Sequence, residues 1–267
     1  MDRILQTNWI DKMIFSVVIP VYNSRDTIER SLESCINQAL LPTEIIIVDD
    51  NSSDASVEVI NSWIDKYKGD VNVVLETLDV NSGPSIARNR GWDLAKGEYV
   101  SFLDADDFFI PEKLKAISSV LSNNANAFLL AHDWTLVSKK KKSSLKIQNI
   151  SVRALLKRNL FATPTVTVKR NISERFDISM RFTEDHDLWL RITQRYCQTY
   201  YYDDVLTVID RPIRSEGGLS GNLWEMRKGE INMYWKYCKA NRLMVLFPMF
   251  LIFSLLKHSF KLLKGRS

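Results

Sequence analysis

The sequence predicts an α/β fold, with an open, mostly parallel sheet flanked by helices in its first half, a mixed second half and a C-terminal helical appendage. Three observations predict it. β-Branched apolar runs of strand length recur, a helical pattern of apolar residues separates each from the next, and carboxylates gather where the runs end. The first run, FSVVIPV from Phe15 to Val21, has the composition of a strand buried on both faces, and Tyr22, Asn23 and Ser24 end it. Residues 25 to 40 then place Ile28, Leu32, Cys35, Ile36, Ala39 and Leu40 on one helical face, with Ser24 as the expected N-cap. The unit repeats. EIIIVDD (44 to 50) is a strand, Val57, Ile60, Ile64 and Tyr67 mark a helix, and VNVVLE (71 to 76) is the next strand. Gly83 to Ala95 predicts a third helix, stopped by Gly97; EYVSFLD (98 to 104) is a fourth strand, and Pro111 opens the helix after it. Four strands alternating with helices are the pattern of right-handed βαβ units covered on both faces.

Beyond residue 125 the pattern is α+β. AFLLAHDW and TPTVTVKR predict strands, separated by the lysine run 139 to 142 and a short helix near 151 to 158. A helix is expected from Thr183 to about Tyr196, a strand at TYYYDD, then a polar loop with Gly217, Gly218 and Gly221 and a helix from Leu223. The expected organisation is one mixed domain over residues 1–222, with the appendage over 223–267. Lys and Arg number 36 against 32 Asp and Glu, and a net charge of +4 gives no ground for a nucleic-acid partner. The three cysteines, Cys35, Cys197 and Cys238, have no CxxC spacing and read as packing residues of a reduced chain. MDRILQTNWIDK contains no apolar run of signal-peptide length, so a cytoplasmic catalytic part is expected.

Ligands of open α/β sheets bind beyond the carboxyl ends of the strands, where strand order reverses. Tyr22 and Asn23 follow the first strand, Asp49 and Asp50 close the second, and Asp104, Asp106 and Asp107 close the fourth. Taken singly, each cluster has an ordinary reading as a helix cap or Asx-turn. Three carboxylates within Asp104-Ala105-Asp106-Asp107 repel one another unless a cation compensates, and Mg²⁺ or Mn²⁺ shared with substrate phosphates does so. A solvated acidic turn is the bland alternative.

SVVIPVYN, EIIIVDDNSSD, NSGPSIARNRG and GEYVSFLDADD, in this order and spacing, resemble family 2 glycosyltransferases of GT-A fold, whose N-terminal half is Rossmann-like. The resemblance is close over about residues 14 to 110, the nucleotide-sugar half, and looser to about 220, the acceptor half. It implies a UDP-sugar donor, with nucleotide-sugar contacts at Pro20, Tyr22, Asp50, Gly83, Arg88 and Asp104. Tyr22 would stack on the base and Asp50 accept from uracil, which suits a Tyr face and a carboxylate facing N3–H. Arg88 has two readings, a contact to nucleotide or diphosphate and a salt bridge to Asp50 or Asp104. The resemblance further implies Mn²⁺ or Mg²⁺ on Asp106, with Asp104 nearby at the ribose or metal.

Single displacement needs a carboxylate that takes the acceptor proton. Thr183-Glu184-Asp185-His186-Asp187-Leu188-Trp189-Leu190-Arg191 opens a helix with acids in its first turn, which is also ordinary dipole compensation. By resemblance to an EDxDLWLR motif, Asp185 is the expected base; on the acceptor side, Glu184 and Asp187 are orienting or acceptor-binding groups, and Trp189 either packs or lines the sugar site. His186 reads as a surface histidine. The late histidine that many family members use is absent from IDRPIRSEGGLSG, leaving Arg211, Arg214 and Ser220 as diphosphate candidates.

Residues 243 to 256, LMVLFPMFLIFSLL, carry no charge, and Lys257, Lys261, Lys264 and Arg266 follow. Fourteen residues span about 21 Å as a helix, short of the roughly 20 residues a bilayer needs, and Pro248 is expected to interrupt it. The expectation is an interfacial segment holding the protein to the inner face of the cell membrane, with a buried helix or oligomer contact as the alternative. Membrane contact would suit a saccharide acceptor on a polyprenyl diphosphate, and the resemblance suggests an inverting transferase of surface-polysaccharide assembly. A sugar nucleotidyltransferase would need a Gly-rich basic loop after the first strand, and a dinucleotide dehydrogenase a GxGxxG; neither is present. A catalytically inactive nucleotide-sugar-binding or accessory protein is the non-enzyme alternative.

Overall fold

The computed structural model describes residues 13–137, 143–210 and 221–264, with side chains to residue 259 except 258. The first half runs β1 (Phe15–Val21), α1 (Ile28–Ile36), β2 (Glu44–Asp49), α2 (Ser56–Lys66), β3 (Asn72–Thr77), α3 (Pro84–Leu94) and β4 (Tyr99–Phe102). The second adds β5 (Phe108–Phe109), α4 (Lys113–Asn123), β6 (Leu129–Leu136), β7 (Ile147–Asn149), α5 (Val152–Lys157), β8 (Val166–Lys169), α6 (Glu184–Tyr196), β9 (Thr199–Ile209), α7 (Leu223–Ala240) and α8 (Phe247–Lys264).

The described strands form one sheet in the order β3-β2-β1-β4-β8-β6-β9-β5, with β7 also on β9. β3, β2, β1 and β4 are parallel, while β8 runs antiparallel between β4 and β6. The chain builds outward from β1 to β3, then crosses back to place β4 on the other side of β1. That reversal puts the crevice for a ligand beyond the carboxyl ends of β1 and β4. Successive side chains of β1 feed two cores. Val17, Ile19 and Val21 face α1, α2 and α4, whereas Val18 faces α3 with Ile46, Trp92 and Phe102.

Several expectations change. α1 begins at Ile28, with Thr27 at the N-cap; the Ser24 side chain bonds the Tyr22 carbonyl, and only its own carbonyl serves the helix, accepting from Thr27 and Ile28 N–H at 3.0 Å each. Pro248 does not interrupt α8, because it occupies the first turn, where a helix has no use for its N–H. Cys35 and Cys238 are buried, but Cys197 is exposed beyond the end of α6 with φ +56°. α7 contributes buried Met233 and Tyr234 to the second core, and Phe247 and Phe250 of α8 pack against it. α7 and the start of α8 are therefore continuous in packing with the sheet's helical face.

Candidate active site

Midway along β1, the carbonyl of Val18 accepts from the N–H of Leu103, just past β4, at 3.0 Å. Pro20 faces the same side two residues on, beyond the last β4 pair, so its missing N–H costs no ladder bond. Tyr22 follows with its side chain half exposed. Asn23, at φ +49°, locks this loop to the next by accepting from Ser53 N–H at 2.8 Å.

Asp50 is buried and its carboxylate holds the entry to α3. One oxygen accepts from the Ser82 N–H and the other from the Gly83 N–H, each at 2.7 Å. Gly83 has φ +89°, and a Cβ there would meet nothing within 4 Å. Its backbone conformation, not lack of space, calls for glycine. Asp49 accepts from Ser52 N–H through one oxygen, and its other oxygen is buried without a hydrogen-bond partner.

The DADD segment is a turn closed by the Asp107 N–H donating to the Asp104 carbonyl at 3.0 Å. α1 secures it. The Ser31 hydroxyl lies 2.9 Å and 2.7 Å from the carbonyls of Ala105 and Asp107, and Arg30 donates to the Asp106 carbonyl at 2.6 Å. Asp107 turns inward and accepts from the Asp210 N–H at 3.0 Å, which docks the end of β9 on the turn. Burial, with Asp104 and Asp106 adding repulsion, pushes the Asp107 carboxyl up to about 8. Arg30 also pairs with Asp210 at 3.1 Å. Arg211, Arg214 and Ser220 lie outside the described residues.

Arg88 joins the two halves of the site. From α3 its guanidinium reaches Asp104 at 2.8 Å and Glu184 at 3.4 Å, over the face of Phe176. The residue is buried; burial works against its charge, but Asp104 and Glu184 outweigh that and hold its pKa above the ordinary value. Of the partners expected for Arg88, Asp104 is met and Asp50 is not. Glu184 is nearly buried, and burial followed by the adjacent Asp185 pushes its carboxyl up to about 7, with Arg88 pulling the other way.

Asp185 sits at the start of α6, partly exposed, one oxygen accepting from Asn159 at 2.8 Å and the other from the His186 N–H at 2.7 Å. Three neighbours lie in the interior. Trp189 is fully buried between Phe102 and Phe176, so it packs the core and does not reach an acceptor. Asp187 is buried and pairs with Arg191 at 2.7 Å, an i,i+4 pair that stabilises α6. His186 is not a surface residue: its ring is buried and its Nε2 lies 2.6 Å from the Leu155 carbonyl. All three follow from α6 being sandwiched, so that most of its circumference is interior. Arg30, Ser31 and Asn159 were not anticipated, because their partners lie 76, 74 and 26 residues away and no local pattern marks them.

Beside the N-terminus of α6 a cavity of about 600 Å³ is lined by residues including Arg181, Phe182, Asn222, Glu225, Lys228 and Asn232. Among the described residues no three His, Cys, Asp or Glu side chains converge as a complete metal shell. Asp104 and Asp106 supply carboxylate oxygens from one turn, and their charges add to the burial that raises the Asp107 carboxyl, so a cation between them would relieve the repulsive part. That donor set fits an Mg²⁺ or Mn²⁺ that takes one or two carboxylates and draws its remaining ligands from phosphate and water.

The family model for Glycosyl transferase family 2 matches residues 16–179, more than half of the chain. The chain belongs to this family. Among its relatives is the Escherichia coli UDP-Glc:alpha-D-GlcNAc-diphosphoundecaprenol beta-1,3-glucosyltransferase WfgD, 29% identical over 188 residues, 68% of this chain and 71% of that one. Among solved structures, Staphylococcus aureus TarS 1-349 in complex with UDP-GlcNAc superposes with a TM-score of 0.68 at 20% identity, covering 92% of this chain and 72% of that one. The mannosyltransferase PcManGT of Pyrobaculum calidifontis, in complex with GDP-Man and Mn²⁺, gives 0.65 at 15% identity, covering 95% and 79%. This family 2 glycosyltransferase therefore has the GT-A fold, and its DADD turn and α6 N-terminus converge at the sheet's carboxyl edge.

Proposed function

We propose that the protein is a metal-dependent inverting hexosyltransferase that moves a sugar from a UDP-sugar to a hydroxyl of a saccharide acceptor carried on a polyprenyl diphosphate. The role proposed is assembly of a surface polysaccharide such as O-antigen, capsule or exopolysaccharide. The observation that carries the reading is the Asp104–Arg88–Glu184 bridge, which draws the DADD turn and the helix bearing Asp185 into one site. In this reading Tyr22 covers the uracil face, and Asp50 accepts from N3–H, since each of its oxygens keeps a lone pair beside its amide bond. Asp106 and Asp104 hold the divalent ion, which when bound offsets the charge of the diphosphate. Asp185 takes the proton of the acceptor hydroxyl. The oxygen attacks the anomeric carbon opposite the diphosphate, the bond to the diphosphate oxygen breaks, and UDP leaves with the electron pair, inverting the configuration. The cavity beside α6 has the polar lining and size that suit the acceptor.

The donor and acceptor named for WfgD support a UDP-sugar and a diphosphate-linked acceptor here, and the UDP-GlcNAc bound by TarS agrees with the first. UDP release from UDP-glucose, UDP-galactose and UDP-N-acetylglucosamine, with Mn²⁺ or Mg²⁺ and α-D-GlcNAc-diphosphoundecaprenol as acceptor, tests the reading. Loss of turnover in Asp185→Asn is expected; full activity in that variant overturns the mechanism.

The same reading includes peripheral contact with a membrane. No helix among the described residues is long and apolar enough to cross one. α8 packs one side on α7 and, with the turn before it, exposes Val245, Met249, Ile252 and Leu256, a stripe at spacings of four, three and four. Lys257, expected at lipid phosphates, instead turns inward to Glu230 and Tyr234. Sedimentation with phosphatidylglycerol vesicles should fall in the Ile252→Glu, Leu256→Glu double variant; unchanged sedimentation counts against the contact.

A further inference from the structure

The C-terminal end of α5 is held by three other helices. The last four carbonyls of a helix lack partners within it. In α5, Leu155 lies 2.6 Å from Nε2 of His186 on α6, Leu156 accepts from the Tyr234 hydroxyl of α7 at 2.7 Å, and Lys157 accepts from Nζ of Lys257 on α8 at 3.3 Å. His186 is buried, and burial holds its pKa below the ordinary value, so the neutral ring donates from Nε2. A polar cluster fixes α8 against α7 at the same level: Glu230 accepts from Arg227, Lys257 and Ser254, and Arg227 donates to Ser254 at 2.9 Å.

Two residues beyond this clamped end is Asn159. Its amide orientation follows from both of its bonds: Oδ1 accepts from the Phe161 N–H at 3.3 Å and Nδ2 donates to Asp185 at 2.8 Å. Phe161 is itself buried and stacks on Tyr201, so the loop is anchored on either side of Asn159. The Asn159 side chain is exposed. A lone exposed bond would hold little, and it is the fixed backbone beneath it that gives the bond a direction.

We propose that Asn159 is the positioning residue of Asp185, and that the α7–α8 hairpin takes part in that positioning by clamping the end of α5. The inference rests on the reading of Asp185 as the base. Asn159 steers one carboxylate oxygen and leaves its second lone pair for the acceptor proton. The C-terminal hairpin is then part of the catalytic unit, whatever its contact with a membrane.

The test uses the full chain, the three UDP-sugars above and α-D-GlcNAc-diphosphoundecaprenol. Asn159→Ala is expected to lower kcat about 10- to 100-fold, the size of one hydrogen bond to a charged group, with donor KM unchanged. Asn159→Asp sets a second carboxylate against Asp185, and the acidic limb of the pH–rate profile is expected to move to higher pH, a shift that a merely structural role would not produce. Hydrogen exchange supplies a readout independent of turnover: Tyr234→Phe should speed exchange at residues 159–161 and 184–187 and leave β1–β4 unchanged. Turnover retained in Asp185→Asn rejects the base and leaves the inference without its target. An inactive Asp185→Asn beside an Asn159→Ala with wild-type kcat rejects the inference alone, as does exchange unaltered by Tyr234→Phe.

Discussion

Removing Arg88 should cost more than removing any surface ion-pair partner, and the cost should grow with pH. In Arg88→Met the side-chain volume is largely kept, but Asp104 and Glu184 lose the cation 2.8 Å and 3.4 Å away. Breaking a buried pair by deleting one partner costs about 3–5 kcal/mol. The lower end applies, about 3 kcal/mol, because the Asp104 side chain is 30% exposed and Glu184 has the option of taking up a proton. The pH dependence follows from the Glu184 carboxyl, raised from 4.5 to about 7 chiefly by burial. Between those values the folded protein binds a proton that the unfolded chain releases, so stability falls as pH rises through that window and levels off above it. Without Arg88, which pulls the carboxyl down, the window extends to higher pH and the variant's deficit widens. Urea unfolding of wild type and variant at about pH 5 and about pH 8 measures this, and Glu184→Gln in the Arg88→Met background should recover part of the loss. A deficit below about 1 kcal/mol at the higher pH, or one independent of pH, would refute a buried bridge.

Gly91→Ala would place a Cβ 2.4 Å from Val18 Cγ1 and 3.3 Å from Val48 Cγ2, on strands that cannot move aside. Overpacking of about 1–3 kcal/mol should outweigh the roughly 1 kcal/mol of helix propensity that Ala gains, and a lower urea midpoint with unchanged slope checks it. Trp189→Phe should cost only about 1–2 kcal/mol, because the indole N–H is buried without a hydrogen-bond partner, and Trp189→Ala about 3–5 kcal/mol. Acceptor KM in Trp189→Phe should stay at the wild-type value, and a rise would return Trp189 to the acceptor site. Asp177 is held at about 2, against some burial, by Lys236 of α7 and by Ser179. A lowered carboxyl stabilises above its unfolded value of 3.8 and loses that contribution as pH falls toward 2, so the Tm gap between wild type and Asp177→Asn should close on acidification.

The alternation of β1 to β4 with α1 to α3 was legible because buried parallel strands leave short continuous apolar runs, whereas helices leave apolar residues spaced three and four apart. β5 and β7 were not. They have two and three residues, and only their pairing with β9 makes them strands. At the site, the positions after the strands were legible because topology fixes where a parallel strand ends. The direction of a side chain was not. His186 read as a surface residue, Asp187 as an orienting or acceptor-binding group and Trp189 as packing or lining the sugar site; α6 is enclosed by α5, α7 and the sheet, and all three side chains are buried. Asp50 read as a base-binding carboxylate; that its two oxygens also accept from the amides that open α3 depends on a contact more than 30 residues away, which no local pattern marks. The Arg88 bridge spans 96 residues to Glu184, a distance over which composition carries no signal.

The claim on which the rest depends is that the DADD turn binds a nucleotide diphosphate through a divalent ion at Asp106. Calorimetric titration of UDP with and without Mn²⁺, in wild type and in Asp106→Asn, measures it without the acceptor. Metal should tighten UDP binding in the wild type by at least about tenfold, or about 1.4 kcal/mol, and Asp106→Asn should abolish that gain. Equal UDP affinity with and without metal, or an undiminished gain in Asp106→Asn, would contradict the assignment.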